Sequence, residues 1–259
     1  LLSIILGWFI YNQEINESRE EAEKDVKAIG ELKTKQIAIW YKERIDEIEI
    51  RTISPYFRVA IERLLRDGKN RNDRENILKL LIAHKRETHF DDVLLSTKDG
   101  ELILTTNPEI KEFDTLLVSR IKLAVKNKAI QITDIYLNEN TKKAVIDFLS
   151  PIINEEGDVI AVMIFMIDPE DYLYPFLQAW LPIVRTFETL LVRREGDSVV
   201  FLNELKFRKN TALRLKFPLT RQDIPAVRAA AGQKGLFQGN DYRGVPVVAY
   251  MSHVPGTKW

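Results

Sequence analysis

The chain has 259 residues, enough to bury one large core or two small ones. Thirty-eight basic residues balance thirty-eight acidic ones, so no net field draws nucleic acid or anionic lipid, and nucleic acid is not an expected partner. Cysteine is absent, which removes disulfides and thiolate metal sites and suits an oxidising compartment.

The first ten residues, Leu1-Leu-Ser-Ile-Ile-Leu-Gly-Trp-Phe-Ile10, are apolar, whereas a spanning helix needs about 20 such residues. Residues 1–12 read as the end of a transmembrane helix, with Trp8 and Tyr11 at the interface where aromatic residues gather. The alternative is the hydrophobic start of a buried helix. In the flank, Glu14, Glu17, Glu20, Glu21 and Glu23 outnumber Arg19 and Lys24, and since cytoplasmic flanks are rich in Lys and Arg, this side is expected to be extracytoplasmic.

From Glu14 to Ile53 there is no proline and only one glycine, Gly30, while Ile15, Ala22, Val26, Ile29, Leu32, Ile37, Tyr41, Ile45 and Ile48 recur mostly at steps of three or four. That spacing predicts a helix of roughly 60 Å with one apolar stripe. The stripe serves either a homodimer or burial against the chain's own modules. Ser54-Pro55 restarts a helix through Leu65, closing a helical stalk over residues 13–66.

A polar loop at residues 67–72 is followed by a helix capped by Asp73 and running to about Lys85. Next comes a hairpin of strands 93–96 and 102–105 about Asp99-Gly100. Residues 114–126 have helical spacing, and three strands follow at 130–136, 144–153 and 159–167, with a turn at Glu156-Gly157. This order of hairpin, helix and three strands predicts a PAS-like module over residues 67–183, a five-stranded antiparallel sheet with helices on one face. A connecting helix is expected over 172–181. Strands at 190–194, 199–202, 213–219, 236–238 and 245–254, with a helix at 224–231, predict a second module over 184–259. Its last residues, Pro255-Gly-Thr-Lys-Trp259, form a turn aimed at one further strand. The fold class is therefore α+β: a long N-terminal helix followed by two tandem PAS-like antiparallel-sheet modules, the second lacking its last strand.

Three stretches carry a resemblance. They are the run from Gly239 to Trp259; the run Ile167-Asp168-Pro169-Glu170-Asp171-Tyr172 continuing to Trp180; and Glu188 to Asp197 followed by Val200-Phe-Leu-Asn-Glu-Leu205. Together they resemble the double Cache sensor region of bacterial histidine kinases and related receptors, a pair of PAS-like modules outside the membrane. The resemblance covers about Asp91 to Trp259. It implies a small-molecule ligand held between the concave sheet face and the loops over it, membrane attachment through flanking helices, and a position in the bacterial cell membrane facing the periplasm.

Candidate ligand-binding residues lie in the first module. Asp168 follows the nearly uninterrupted apolar run Val159 to Ile167, and a carboxylate beside such a strand needs a partner or water. The resemblance implies that an aspartate here holds a ligand's ammonium group; Asp168-Pro169 also reads as a helix cap followed by a first-turn proline. Asp147 alternates with Ile146 and Phe148 and faces either the pocket or solvent. Tyr136 is a pocket wall, a hydroxyl donor or a core residue. The Arg-x-Trp-Tyr cluster that the family's amino-acid binders carry is absent, Ile135-Tyr-Leu-Asn138 supplying only the tyrosine.

No catalytic motif stands in the chain. His84 and His89 are five apart, off the stacked spacing of a His-Glu-x-x-His zinc pair, and His253 is remote from both in sequence. Gly232, Gly235 and Gly239 lack the Lys-Ser or Lys-Thr of a phosphate loop, and no Gly-x-Ser-x-Gly elbow occurs. No cofactor is implied. The expected role is the ligand-sensing region of a transmembrane receptor, a sensor histidine kinase, which relays a conformational change across the membrane. The alternative is a ligand-free module for dimerisation or for partner-protein binding.

Overall fold

A computed structural model describes residues 2–52, 54–67, 71–87, 90–139, 141–179 and 186–259. Ile53, loop residues 68–70, His89 and the end of the expected connecting helix at Trp180-Leu181 lie outside the described residues. The chain divides into two compact units, Leu1–Ile39 with Phe176–Trp259 and Trp40–Pro175. Each is taken by itself.

Helix α1 runs from Leu2 to Thr52 and serves both units. No helix among the described residues is long and apolar enough to cross a membrane. Trp8 and Tyr11 are exposed.

In the unit Trp40–Pro175, α2 (Pro55–Asp67) starts on its proline, and the Arg58 amide donates to the Ser54 carbonyl. Helix α3 (Arg71–Glu87) begins two residues before the expected cap: Asp73 lies inside its first turn, where a carboxylate still complements the helix dipole. The hairpin β1 (Asp92–Thr97) and β2 (Leu102–Thr105) closes on Gly100 at φ 95°, a left-handed position that glycine takes without a Cβ clash. Asp114 caps α4 (Thr115–Asn127), its Oδ1 accepting from the Leu117 amide at 2.7 Å.

The expected strand 130–136 is two short strands, β3 (Gln131–Ile132) and β4 (Tyr136–Leu137), both paired to β5 (Ala144–Ile153). Ile132 pairs with Phe148 and Tyr136 with Val145, so four steps on one side meet three on the other, which is a β-bulge. Strand β6 (Val159–Ile167) completes the sheet, whose order is β2-β1-β6-β5-β3 with β4 also on β5.

Helices cover both faces of this sheet, not the one expected. Val145, Leu149, Ile164 and Met166 pack with Leu117, Ile121 and Ala124 of α4. On the opposite face Phe148 meets the Tyr41 ring of α1 at 5.8 Å, and the Ser150 hydroxyl donates to Thr52 Oγ1. Strands buried on both sides read as continuous apolar runs, as β6 does.

In the other unit, β7 (Val192–Glu195), β8 (Ser198–Phe201) and β9 (Lys216–Pro218) form one sheet, and β10 (Gly235–Asn240) pairs with β11 (Pro246–Met251) in another. The expected strand 213–219 shrinks to three residues because Leu213 sits at φ 58°, off any strand geometry. Buried Asn203 ties the loops together: its Oδ1 accepts from the Leu191 amide at 2.7 Å, and its Nδ2 donates to the Glu204 carbonyl at 2.8 Å. Helix α6 (Pro225–Ala230) packs Ala226 and Val227 onto Val199 and Phe201. The connecting helix α5 is short, Leu173–Gln178.

Candidate functional site

Asp147 lies in the middle of β5 with no exposed surface, which settles its orientation against solvent. The bulge brings its partners in. The Thr133 hydroxyl accepts from the Asp147 amide at 2.7 Å, and the Thr133 amide donates to the Asp147 carbonyl at 2.9 Å. Beyond the bulge the Tyr136 hydroxyl donates to Asp147 Oδ2 at 2.6 Å. Oδ1 has no hydrogen-bond partner.

That arrangement sets the chemistry. Burial pushes the Asp147 carboxyl up to about 7; the Tyr136 hydrogen bond pulls it down less, and the charge of Asp114 adds to the rise. Burial also raises the Tyr136 phenol, reinforced by the Asp147 charge. A carboxyl with one oxygen satisfied and the other bare can accept a hydrogen bond from a ligand's N–H, or hold its own proton near neutral pH.

Asp168 stands just past β6 and is almost fully buried. The β5–β6 register sets Asp147 opposite Met166, and strand alternation returns Asp168 to the Met166 face. It is therefore on the same face as Asp147, one diagonal step away. Its Oδ1 accepts from the Glu170 amide at 2.9 Å and its Oδ2 from Lys143 Nζ at 3.3 Å. The expected helix cap is thus a turn cap: α5 begins only at Leu173, and Asp168 closes the turn before it.

Two neighbours escape a reading of the sequence. Lys143 shares the parity of Val145 and Asp147, so alternation alone would have placed it on this face. Asp91 accepts from the Asp168 amide through Oδ2 at 2.5 Å, a contact across 77 residues of chain with no local signature. Burial first, and then Asp171, raises the Asp91 carboxyl to about 6 against the pull of that amide. The structure thus gathers all three predicted residues, Tyr136, Asp147 and Asp168, at one sheet face together with Met166 and Val145.

Each of the described histidines has a polar partner. His84 Nδ1 meets Arg51 Nη1 at 2.8 Å, and His253 Nε2 meets the Thr257 carbonyl at 3.0 Å. Among the described residues no group of three His, Cys, Asp or Glu side chains is placed to hold a metal ion.

A cavity of about 500 Å³ lies in the other unit, lined by α1, α6, residues 186–192 and residues 247–254. Three of its polar side chains, Glu188, Tyr242 and Lys33, are engaged. Glu188 accepts from the Tyr242 hydroxyl at 2.8 Å, and Lys33 Nζ donates to the Phe176 and Ala179 carbonyls at 2.5 and 3.1 Å.

No known family model matches the chain, and no curated protein does. Solved structures do share the fold. The ligand-binding domain of the Pseudomonas aeruginosa PAO1 amino acid chemoreceptor PctB in complex with L-Arg is 16% identical, with a TM-score of 0.59 over 92% of this chain and 91% of that one. The ligand-binding domain of the Pseudomonas fluorescens chemoreceptor CtaA in complex with L-serine is 15% identical, with a TM-score of 0.58 over 92% and 93%. That of the Pseudomonas aeruginosa PAO1 chemoreceptor PctC in complex with GABA is 15% identical, with a TM-score of 0.51 over 84% and 88%. This chain shares their α+β fold, a long helix carrying antiparallel-sheet modules.

Proposed function

We propose that this chain is the extracytoplasmic sensing region of a membrane signalling receptor and that its Trp40–Pro175 unit binds a small molecule carrying a cationic amine. The observation that carries the reading is Asp147: a fully buried carboxyl inside an apolar sheet, held on one oxygen by Tyr136 and bare on the other. Such a group is costly to bury unless a donor completes it. An ammonium bridging Asp147 Oδ1 and Asp168 would complete it, and the bulge at Thr133–Ile135 supports the aim of both acceptor and tyrosine. The ligands in the three solved structures, L-Arg, L-serine and GABA, share an ammonium group.

The carboxylate end of an amino acid has less to meet here. Without an Arg-x-Trp-Tyr cluster, Lys143 is the cation at the site, and it already faces Asp168. The ligand class is accordingly set by its amine.

The chain carries no catalytic role in this reading. The sequence resemblance assigns the output to a histidine kinase, while the solved structures that share the fold are chemoreceptor domains; the sequence of the receptor's signalling half distinguishes the two. The exposed apolar side chains Leu32, Ile39 and Ile50 on α1 are assigned to a homodimer contact, and residues 1–12 to a membrane anchor.

Binding calorimetry tests the site. A panel of primary amines, diamines and amino acids is titrated against this chain and against Asp168→Asn and Asp147→Asn. Amine binding that falls by roughly tenfold or more in both variants is expected, a loss of about 1.4 kcal/mol. Binding unaffected by either substitution, or confined to compounds without an amine, contradicts the reading.

A further inference from the structure

The balance of charge over the whole chain hides a split within one unit. Residues 13–25 of α1 carry six Asp and Glu against two Lys and Arg, whereas residues 186–259 carry twelve Lys and Arg against six Asp and Glu. Both segments belong to the unit of Leu1–Ile39 with Phe176–Trp259. Charge divided in this way suits a surface that meets an oppositely charged partner.

Helix α1 turns one face to the β10–β11 pair. Arg19 Nη2 donates to Gln238 at 2.7 Å, Gln238 Nε2 donates to Glu23 at 2.9 Å, and Gly30 lies against Tyr250. Glu14, Glu17, Glu21, Asp25, Leu32 and Ile39 are exposed, and their steps of three, four and seven set them in one stripe on the opposite side of the helix. The C-terminal part of this stripe is apolar and fits the homodimer contact already assigned to Leu32 and Ile39. Its N-terminal part is acidic. Two parallel copies meeting along the whole stripe would set each carboxylate against its own counterpart, which like-charge repulsion opposes.

Cations of the same unit gather at a matching height. The loop Lys206-Phe207-Arg208-Lys209 lies against the β10–β11 turn, with the Arg243 guanidinium 4.0 Å from the Phe207 ring centre. Glu188 clips loop and turn together, accepting from the Lys206 amide at 2.5 Å and from the Tyr242 hydroxyl. Arg243 pairs with Asp241, whereas Arg208 and Lys209 are exposed and make no ion pair among the described residues. Along β10, Leu236 pairs with Tyr250, which donates to Glu31; two residues on, Gln238 meets Glu23 and Arg19. The hairpin therefore runs toward the N-terminal end of α1. From Gln238 to the turn at Arg243 is about 14 Å at strand rise, which on α1 is about nine residues and leads from the level of Glu21 to about Asn12. The basic rim thus stands at the foot of the acidic stripe.

We propose that the acidic part of the α1 stripe docks the basic rim of a second copy of this chain, Arg208 and Lys209 of each copy lying against Glu14, Glu17 and Glu21 of the other. A two-fold axis parallel to α1 keeps every group at its own height, so rim and stripe that share a level in one copy meet across the axis in two equivalent contacts. The acidic ends of the two helices then face cations in place of each other, and Leu32 and Ile39 keep their apolar contact. The parallel arrangement rests on the reading of residues 1–12 as a membrane anchor and is independent of the amine site.

Two double variants test this, Glu14→Lys with Glu17→Lys and Arg208→Glu with Lys209→Glu. All four positions are exposed, so the fold is not at stake. Sedimentation equilibrium at low ionic strength is expected to show self-association weakened about tenfold or more in each variant alone, a difference that shrinks at high salt. Mixing the two variants is expected to restore association, because both contacts then join opposite charges again. A mixture that associates no more tightly than either variant alone overturns the proposal, as does an unaltered chain that does not self-associate. The unaltered chain pairing more tightly with the Glu14→Lys, Glu17→Lys variant than with itself overturns it too, since that identifies a symmetric seam along α1. Flotation with phosphatidylcholine vesicles tests the anchor separately, so the two readings can fail independently.

Discussion

At the scale of single residues, the chemistry centres on Asp147. Its folded carboxyl titrates near 7 instead of 3.8, with burial as the main cause. A raised acid pKa means that the folded state holds its proton longer than the unfolded chain does. The contribution to stability is fully present below about pH 4 and is lost as pH rises through about 7. Asp91, raised to about 6, acts in the same direction. We therefore expect Asp147→Asn, uncharged at every pH, to flatten the fall of stability between about pH 4 and 7, where one such group adds at most about 1.4 kcal/mol per pH unit. Chemical denaturation at a series of pH values reads this directly, and an unchanged slope would show that Asp147 does not titrate in that window. Tyr136→Phe leaves Oδ2 unpaired as well. It should cost about 1–3 kcal/mol at pH 8 and much less at pH 5, where the carboxyl holds its own proton. A loss equal at both pH values would mean that packing, not the hydrogen bond, is what the hydroxyl provides.

Among the elements, those with local punctuation were legible and those set by register were not. Asp99-Gly100, Glu156-Gly157 and Asp114 mark a hairpin, a turn and a helix start through their own backbone chemistry, and each stands where the sequence puts it. The split of strand 130–136 is invisible in composition because a bulge is a property of two strands at once, and it is the bulge that brings Thr133 and Tyr136 onto Asp147. Alternation did place Asp147 apart from Ile146 and Phe148, whereas the choice between pocket and solvent needed α4 in position above it. Gly30 makes a sharper case. In a helix interior alanine is ordinarily better than glycine by about 0.8–1.0 kcal/mol, but a Cβ at Gly30 would stand 2.5 Å from Tyr250 Cδ1. Gly30→Ala should destabilise the chain, and the same change in a Tyr250→Ala background should stabilise it by about 1 kcal/mol. Thermal melts of the four proteins of that cycle decide; additive effects would separate Gly30 from Tyr250.

For the whole molecule, the fold joins one long helix to two sheet units, and the proposed sensing role is placed on the unit that buries polar groups among apolar strands. Trp8 and Tyr11 lie exposed on α1, so deleting residues 1–11 should leave the cooperative melt intact and raise solubility; loss of the melt would place those residues in a core. The most direct test of the central claim is a crystal structure of this chain with the tightest-binding amine from the calorimetric panel. The account predicts the ligand's nitrogen within hydrogen-bond distance of Asp147 Oδ1 and of Asp168. A ligand seated only between α1 and β11, or one bound at the first site with its nitrogen turned away from both carboxylates, would contradict it.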